Sequence, residues 1–350
     1  MSDYFDPELD EEESFEDEPE DRRRPEIGET ITALQEAETG GAFATVFYGL
    51  SDLEPAEIEQ LRNTWETLST DYRAKLLQQL VDISETNFNL DYSALARFAL
   101  EDENADIRAA AVDILWIDET LPTMQRMINL ALEDEAAAVR AAAASALGRF
   151  ILLGEYEELP ASQTDTAVDA ALSIYNDHDE MIDVRRRALE SLGNSSHLAV
   201  SDLIEEAYGS NEKLMRVSAI FAMGRTTDPK WEAIVLRELN SGDPELRYEA
   251  ARAAGEISLD SAVAKLSRMV HEGDRDIKEV AIWALGEIGT SAALETLERL
   301  TTDPAYIDDE DLQEAIEDAV LTASLPGGDL PLFELDDDDP FFGDDDDEQD

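Results

Sequence analysis

The side chains best suited to chemistry are scarce in this sequence. Its 350 residues include no cysteine and three histidines, His178, His197 and His271. Without cysteine the chain forms no disulfide, thiolate zinc site, iron–sulfur cluster or thiol nucleophile. Carboxylates are abundant, with 84 Asp and Glu, and no pair is marked by its spacing as a general acid and base. We therefore predict no catalytic, cofactor-binding or metal-binding residue.

The net charge restricts the partners that the chain can bind. With 84 acidic and 26 basic side chains, the formal net charge is −58. Phosphate backbones and anionic membranes are bound by Lys and Arg, so we predict neither a nucleic-acid nor a membrane partner. The N-terminus is acidic, unlike a signal peptide, and the apolar windows 41–50 and 141–153 are too short or interrupted to span a bilayer. We expect a cytoplasmic protein, and its oligomeric state stays open.

The acidic residues are concentrated at both ends of the chain. Residues 1–39 hold 16 acids against three arginines, and residues 326–350 hold 12 acids and no basic residue. Like charges repel, so we predict a mostly disordered tail at each end and a folded body at 40–325. Phe341 and Phe342 lie between two four-aspartate runs. They either dock on a basic, partly apolar partner or belong to a solubilising tail.

The body contains an internal repeat in which a basic residue precedes a glycine by eight positions. Basic residues 185, 216, 247 and 278 are 31 residues apart, whereas 140 and 185 are separated by 45. A related segment begins at Arg108, with Trp116 in place of the glycine, and weaker outer copies give about eight units. The five full copies pair Arg140 with Gly148, Arg185 with Gly193, Arg216 with Gly224, Arg247 with Gly255, and Lys278 with Gly286.

Each repeat predicts two helices. In residues 228–259, Asp228-Pro229 and Asp243-Pro244 are helix starts, because Asp caps a helix and Pro fits its first position. Alanines at repeated inner positions let neighbouring helices approach closely. The extra length between residues 140 and 185 is predicted to be a lengthened helix end plus a loop within 151–165. We expect the tryptophans to fill the core between helices, namely Trp65, Trp116, Trp231 and Trp283.

The Val-Arg-x-x-Ala-x-x-Ala-Leu-Gly pattern at 31-residue spacing resembles HEAT-like repeats, particularly the short bacterial type named after phycobilisome lyases, over roughly residues 52–325. The resemblance implies an all-α fold, an α-α superhelix of the armadillo type (a HEAT-like solenoid), that binds other proteins. Some proteins of this kind are di-iron hydroxylases with several His-Glu pairs, but here only His271-Glu272 occurs. One pair cannot supply a two-metal ligand set.

The resemblance also implies a role for the basic residue of each repeat. It is expected to bond an Asp or a carbonyl of a neighbouring unit. Lys278 should make fewer such bonds because it lacks the planar guanidinium fork. The arginines to which this structural role is carried over are Arg108, Arg140, Arg185, Arg216 and Arg247.

Three functions are compatible with these observations. The first is a non-enzymatic scaffold or adaptor that presents an acidic surface to a basic protein. The second is an assembly factor or lyase-like protein for a chromophore-bearing partner, which follows from the name of the repeat type alone. The third is an acidic chaperone or mimic for nucleic-acid-binding proteins, with the tails imitating a phosphate chain.

The tail-based version of the third hypothesis is testable by deleting residues 326–350. The deletion removes 12 carboxylates, so the affinity for a basic protein should fall and become less dependent on salt. Titration of the full-length and shortened chains with the same basic protein measures the difference. Equal affinities would contradict a binding role for the tail.

Overall fold

The computed structural model describes residues 24–38, 44–272, 275–307 and 309–324. The regular elements in these residues are all helices, without a strand. The predicted all-α fold class is therefore confirmed. Most of the predicted N-terminal tail and all of the C-terminal tail, including Phe341 and Phe342, lie outside the described residues.

The chain divides into two compact units, Met1–Ile117 and Asp118–Asp350. The described helices of the first unit are α1 (Ile27–Glu38), α2 (Ala44–Leu50), α3 (Pro55–Thr67), α4 (Thr70–Thr86), α5 (Ser93–Ala99) and α6 (Ala105–Ile114), followed by a 3₁₀ turn at Leu115–Ile117. Within this unit α4 packs beside α6 and α3 beside α5, whereas α1 packs on α2 and α3.

The second unit is a stack of helix pairs. Its described α-helices are α7 (Leu121–Glu133), α8 (Ala137–Glu155), α9 (Ala161–Asn176), α10 (Ile182–Leu192), α11 (Val200–Tyr208), α12 (Lys213–Arg225), α13 (Glu232–Glu238), α14 (Pro244–Glu256), α15 (Val263–Glu272), α16 (Arg275–Ile288), α17 (Ser291–Leu300) and α18 (Glu310–Ser324), with 3₁₀ turns at Pro229–Trp231 and Asp260–Ala262. We call the odd-numbered members first helices and the even-numbered members second helices. The second helices form a row in which each packs on the next, from α8 to α18.

Folded structure begins earlier than the charge pattern predicts. That pattern predicts a tail up to residue 39, yet α1 buries Ile27, Leu34 and Ala37 along one face. Arg24, just before α1, donates a hydrogen bond from Nη1 to the Ser51 carbonyl at 3.0 Å and forms an ion pair with Glu57. The three apolar side chains lie at helical spacing on the buried face of α1, while its acidic side chains lie on the exposed face.

The predicted helix starts are found where Asp-Pro occurs. Asp243 Oδ1 accepts a hydrogen bond from the Glu245 amide at 3.0 Å, and Pro244 occupies the first position of α14. Asp228 does the same for the Lys230 amide at 2.9 Å, although the first turn there is 3₁₀ rather than α. Each aspartate satisfies a backbone N–H that has no partner within the helix.

The second helices approach one another most closely at the repeat glycine. A Cβ added to Gly224 would lie 2.9 Å from the Cα of Ala253 on the next second helix. In α8, α10, α12 and α14 the contacted residue stands two positions before the glycine of the following repeat. The contact therefore occurs at the same level of each second helix. The corresponding distances from an added Cβ to the Cα of the contacted residue are 3.2 Å for Gly148 and Ser191, and 3.0 Å each for Gly193 and Ala222, Gly255 and Ala284, and Gly286 and Ala319.

The additional residues between 140 and 185 lengthen two helices. With 19 residues, α8 is the longest second helix of the unit, and α9, with 16 residues, is its longest first helix. By length and composition α8 could cross a membrane, so the prediction that 141–153 is too short underestimated this helix. Part of its apolar surface packs inside the unit, and Leu147 and Phe150 are fully buried. Ser191 Oγ on α10 donates a hydrogen bond to the Ala144 carbonyl of α8 at 2.7 Å.

The tryptophans follow the core prediction in two cases out of four. Trp65 and Trp231 are each 2% exposed, but Trp116 is 41% and Trp283 is 39% exposed. Trp283 Cζ3 would lie 2.9 Å from a Cβ on Gly255. Because α14 and α16 meet there almost backbone to backbone, the ring cannot fit between them and lies across the surface of the row.

Gly224→Ala should destabilise the protein. The new Cβ would press on the Ala253 backbone, which cannot rotate away, so we expect a loss of about 1–3 kcal/mol in the free energy of unfolding, as for overpacked cores. Urea denaturation followed by circular dichroism measures the change. Gly28→Ala in α1 is the matched control, because nothing lies within 4 Å of the added Cβ. Equal stability of both variants would contradict the close-approach contact.

Candidate functional site

Most of the repeat arginines bind carbonyls of the loop that joins the two helices of their own repeat. Arg216 Nη1 donates to the carbonyls of Ser210 and Asn211 at 3.0 and 3.1 Å. Ser210 and Asn211 lie in the loop between α11 and α12, so this arginine fastens the loop to the second helix of its own repeat. Equivalent bonds run from Arg108 to Asp102 and Glu103, from Arg140 to Asp134 and Glu135, from Arg247 to Ser241, and from Arg185 Nε to Tyr175.

These carbonyl bonds stay within one repeat, whereas the resemblance implied a neighbouring one. Arg140 additionally reaches the next repeat, where Nε and Nη2 donate to the two carboxylate oxygens of Glu180 at 2.7 and 2.8 Å. These hydrogen bonds lower the pKa of Glu180. Lys278 Nζ lies 5.9 Å from the ring centre of Tyr306.

Acidic side chains collect at the edge where the second helices of the second unit begin. The loops that join the first and second helix of each repeat lie side by side there, because the glycine contacts keep the second helices in register. Anions near helix N-termini are also favoured by the helix dipole. We name the exposed carboxylates of this region the acidic edge, which consists of Glu135, Asp177, Asp179, Asp183, Glu212, Glu245, Asp276, Glu310 and Asp311.

Two basic side chains at this edge are bound to carboxylates of the following repeat. Lys213 Nζ lies 2.8 Å from Glu245 and 3.3 Å from Asp243. Its hydrogen bond with Glu245 is the main cause of the raised pKa of Lys213. Arg275 contacts Asp309 at 3.0 Å and Asp311 at 2.8 Å. These pairs link adjacent repeats, and their positive charge is already compensated.

The second helices from α8 to α16 are not acidic as a group, whereas α18 contains five Asp and Glu and no Lys or Arg. The five helices α8, α10, α12, α14 and α16 contain twelve Lys and Arg against nine Asp and Glu, in a chain of net charge −58. Their charges are paired across the row: Arg225 donates to Asn194 Oδ1 at 2.8 Å and lies 3.3 Å from Glu256. Arg252 lies 3.1 Å from Glu256 and stacks over the Phe221 ring at 4.2 Å. The basic residues of these five helices are therefore largely paired within the row.

One carboxyl of the row lacks such compensation. Oε2 of Glu249 is buried without a hydrogen-bond partner in the described structure, and its nearest ion-pair contact is Arg252 Nη1 at 3.9 Å. Burial is the main cause that raises the pKa of Glu249 to about 7, and the repulsion of Glu190 and Glu256 adds to it. Arg252 and Arg187 oppose this rise.

Glu249 contributes to the wall of a cavity of about 340 Å³ that opens beside the acidic edge. Three second helices enclose it, namely α12, α14 and α16. The side chains combine three carboxylates with apolar and aromatic surface, and none of them is basic. The lining residues are Val217, Pro244, Glu245, Tyr248, Glu249, Asp276 and Ile277.

The described residues show no group of three or more His, Asp or Glu placed to hold a metal ion. His271 is exposed, and its Nδ1 lies 3.3 Å from the Tyr306 hydroxyl. Its ring therefore has a hydrogen-bond neighbour within the fold and does not converge with other potential ligands.

Sequence reasoning identified the repeat arginines and glycines but missed Glu249 and the cavity. Aligning the repeats shows what signal was available. The position two residues after the basic residue is Ala142, Ser218 or Val280 in three second helices, Arg187 in another and Glu249 in α14. Among these five helices, α14 alone has a carboxylate at this position.

Residues 232–317 match the family model of HEAT repeats. No curated protein matches the chain. Among solved structures, YibA of E. coli is 17% identical over 82% of this chain and 98% of its own, with a TM-score of 0.42. Yeast importin-beta (Kap95p) is 13% identical over 84% and 46%, with a TM-score of 0.45, and human deoxyhypusine hydroxylase is 15% identical over 85% and 97%, with 0.33. Likenesses at these TM-scores assign no function to this chain.

Glu249→Gln should change how stability depends on pH. The folded pKa of Glu249, about 7, exceeds the ordinary value of 4.5, so the folded state binds more protons between these values and loses stability as pH rises through them. Relative to Glu249→Gln, the wild type should lose up to about 3 kcal/mol of unfolding free energy between about pH 5 and pH 8.

Urea titrations of both proteins across this pH range provide the measurement. Glu287→Gln is the matched control, because Glu287 is exposed on α16 and loses the same charge. Parallel stability curves for the wild type and Glu249→Gln would show that Glu249 is not desolvated in the folded protein.

Proposed function

We propose that this chain is a non-enzymatic scaffold or adaptor of the cytoplasm that presents an acidic surface to a basic protein partner. Stacked helix pairs offer an extended surface whose shape is set by repetition rather than by a single closed core. The match of residues 232–317 to HEAT repeats supports a protein-binding role in general. The acidic edge supports the proposal that the partner is basic.

The observation that carries the proposal is the charge balance of the acidic edge. Nine exposed carboxylates follow it over six repeats. The positive charges of Lys213 and Arg275 are offset by carboxylates that contact them. An extended negative potential attracts a basic surface, accelerates its association and disfavours acidic competitors.

The spacing of the edge also favours an extended partner. Each repeat contributes one to three exposed carboxylates in the loop before its second helix or in the first turn of that helix, so a basic chain lying along the row meets a new anionic group at every repeat. Several weak contacts in sequence give affinity that falls steeply with added salt, since each exposed pair is screened.

Neutralising the edge should weaken binding of a lysine-rich peptide. The variant Asp179→Asn, Glu212→Gln, Asp276→Asn, Glu310→Gln removes four exposed charges and leaves the ion pairs of Lys213 and Arg275 in place. We expect affinity to fall about tenfold at low salt, as for several rim charges lost together, with a shallower salt dependence. Fluorescence anisotropy of the labelled peptide at several salt concentrations measures both.

The control removes four charges from the C-terminal tail instead, as Asp344→Asn, Asp345→Asn, Asp346→Asn and Asp347→Asn. Both variants have the same net charge, so a difference between them reports the position of the charges. Circular dichroism checks that both retain their helices. Equal weakening by the two variants would assign the attraction to overall charge, and the absence of any peptide binding by the wild type would refute the proposal.

A further inference from the structure

The cavity beside Glu249 lies on the acidic edge and has the make-up of a pocket for a single side chain. Its volume is about 340 Å³, and it is bounded by α12, α14 and α16. Val217 and Ile277 supply apolar wall, and Tyr248 adds an aromatic ring. A ligand that enters must satisfy both this apolar surface and the carboxylates beside it.

Two of the three carboxylates in the cavity have structural explanations. Glu245 is bound to Lys213 at 2.8 Å. Asp276 lies in the first turn of α16, where the helix dipole favours a negative charge. Glu249 has neither explanation: it lies in the middle of α14, its Oε2 is buried without a hydrogen-bond partner, and Arg252 comes no nearer than 3.9 Å.

A buried carboxyl without a donor is destabilising, and the rest of the row avoids this arrangement. Glu190, a more deeply buried carboxyl of the row, accepts a hydrogen bond from Ser218 Oγ and lies 2.6 Å from Arg187. Glu249 differs from Glu190 in that its Oε2 has no hydrogen-bond donor, and its side chain forms part of the cavity wall. A lysine or arginine side chain provides a charged head for the carboxyl and an aliphatic stem for the apolar wall.

We propose that this cavity binds one lysine or arginine side chain of the basic partner, with Glu249 as the anion that receives its charge. The inference rests on the proposed function and adds a specific anchor to it. Val217 and Ile277 contact the aliphatic stem, and Tyr248 offers its ring to the cation. The remaining exposed carboxylates of the edge then act on neighbouring basic residues of the same partner.

The proposal predicts that binding depends on pH. Several charged groups surround Glu249: Arg187 and Glu190 on α10, Arg252 and Glu256 on α14, and Asp276 on α16, while α12 contributes the hydroxyl of Ser218. Free Glu249 is partly protonated near neutral pH because burial raises its pKa to about 7. The incoming cation favours the ionised form, so binding releases a proton and strengthens as pH rises.

The experiment measures binding of the labelled lysine-rich peptide to the full chain at about pH 6 and pH 8. Wild-type affinity should rise about tenfold between these values, because the free carboxyl gives up its proton over that interval. Glu249→Gln should bind about tenfold more weakly than wild type at the higher pH and about equally at the lower one, so its pH dependence should be flatter.

Two further variants separate the cavity from the charge of the edge. Val217→Phe fills the cavity without changing any charge and should also weaken binding about tenfold at the higher pH. Glu287→Gln removes an exposed carboxylate of α16 outside the cavity and should stay within about twofold of the wild type.

The outcomes distinguish this inference from the proposed function. If the peptide binds in a salt-dependent way but Glu249→Gln and Val217→Phe match the wild type at both pH values, the edge binds basic chains and the cavity takes no part. If the wild type binds no peptide at either pH at low salt, the proposed function fails and the anchor fails with it.

Discussion

The second unit depends on the near-contact of backbones between adjacent second helices. At Gly224 and Ala253, as at the equivalent positions, the glycine of one helix lies against the backbone of a small residue, Ala or Ser, of the next helix. Such a contact allows little sliding, because any shift along the axis brings a larger neighbour into the gap. It therefore sets the height of each helix relative to the next, and with it the alignment of the loops that carry the acidic edge.

The regular parts of this fold could be predicted because they follow from spacing. A basic residue eight positions before a glycine, repeated every 31 residues, predicts both the helix pairs and the small residues between them. The Asp-Pro starts are equally local, since the cap and the fixed φ angle act within one turn. The sequence does not predict whether an individual large side chain is buried or exposed. Trp231 precedes a first helix and Trp283 lies in a second helix, and only Trp283 lies where two backbones leave no room for a ring.

The candidate site was less predictable for the same reason. Net charge predicted an acidic protein but not the place of the excess, because basic residues are concentrated in the second helices and pair there with their neighbours. Arg252, Glu256 and Phe221 form such contacts across two helices. Glu249 differs from the carboxylates of this network because its Oε2 has no hydrogen-bond partner. Its burial depends on what α12 and α16 place around it, which the order of residues in α14 does not reveal.

The contact between Gly148 and Ser191 shows how the row tolerates a change in chain length. It keeps the close approach across the irregular 45-residue interval, with the Ser191 hydroxyl fastened to the Ala144 carbonyl. The additional residues extend beyond that point, in the last turns of α8 and the connection to α9. The contact at Gly148 fixes the position of α8 relative to α10 before the chain enters this connection. The connection is therefore a natural place to insert a foreign segment, such as an epitope or a second binding module, without shifting the helices on either side.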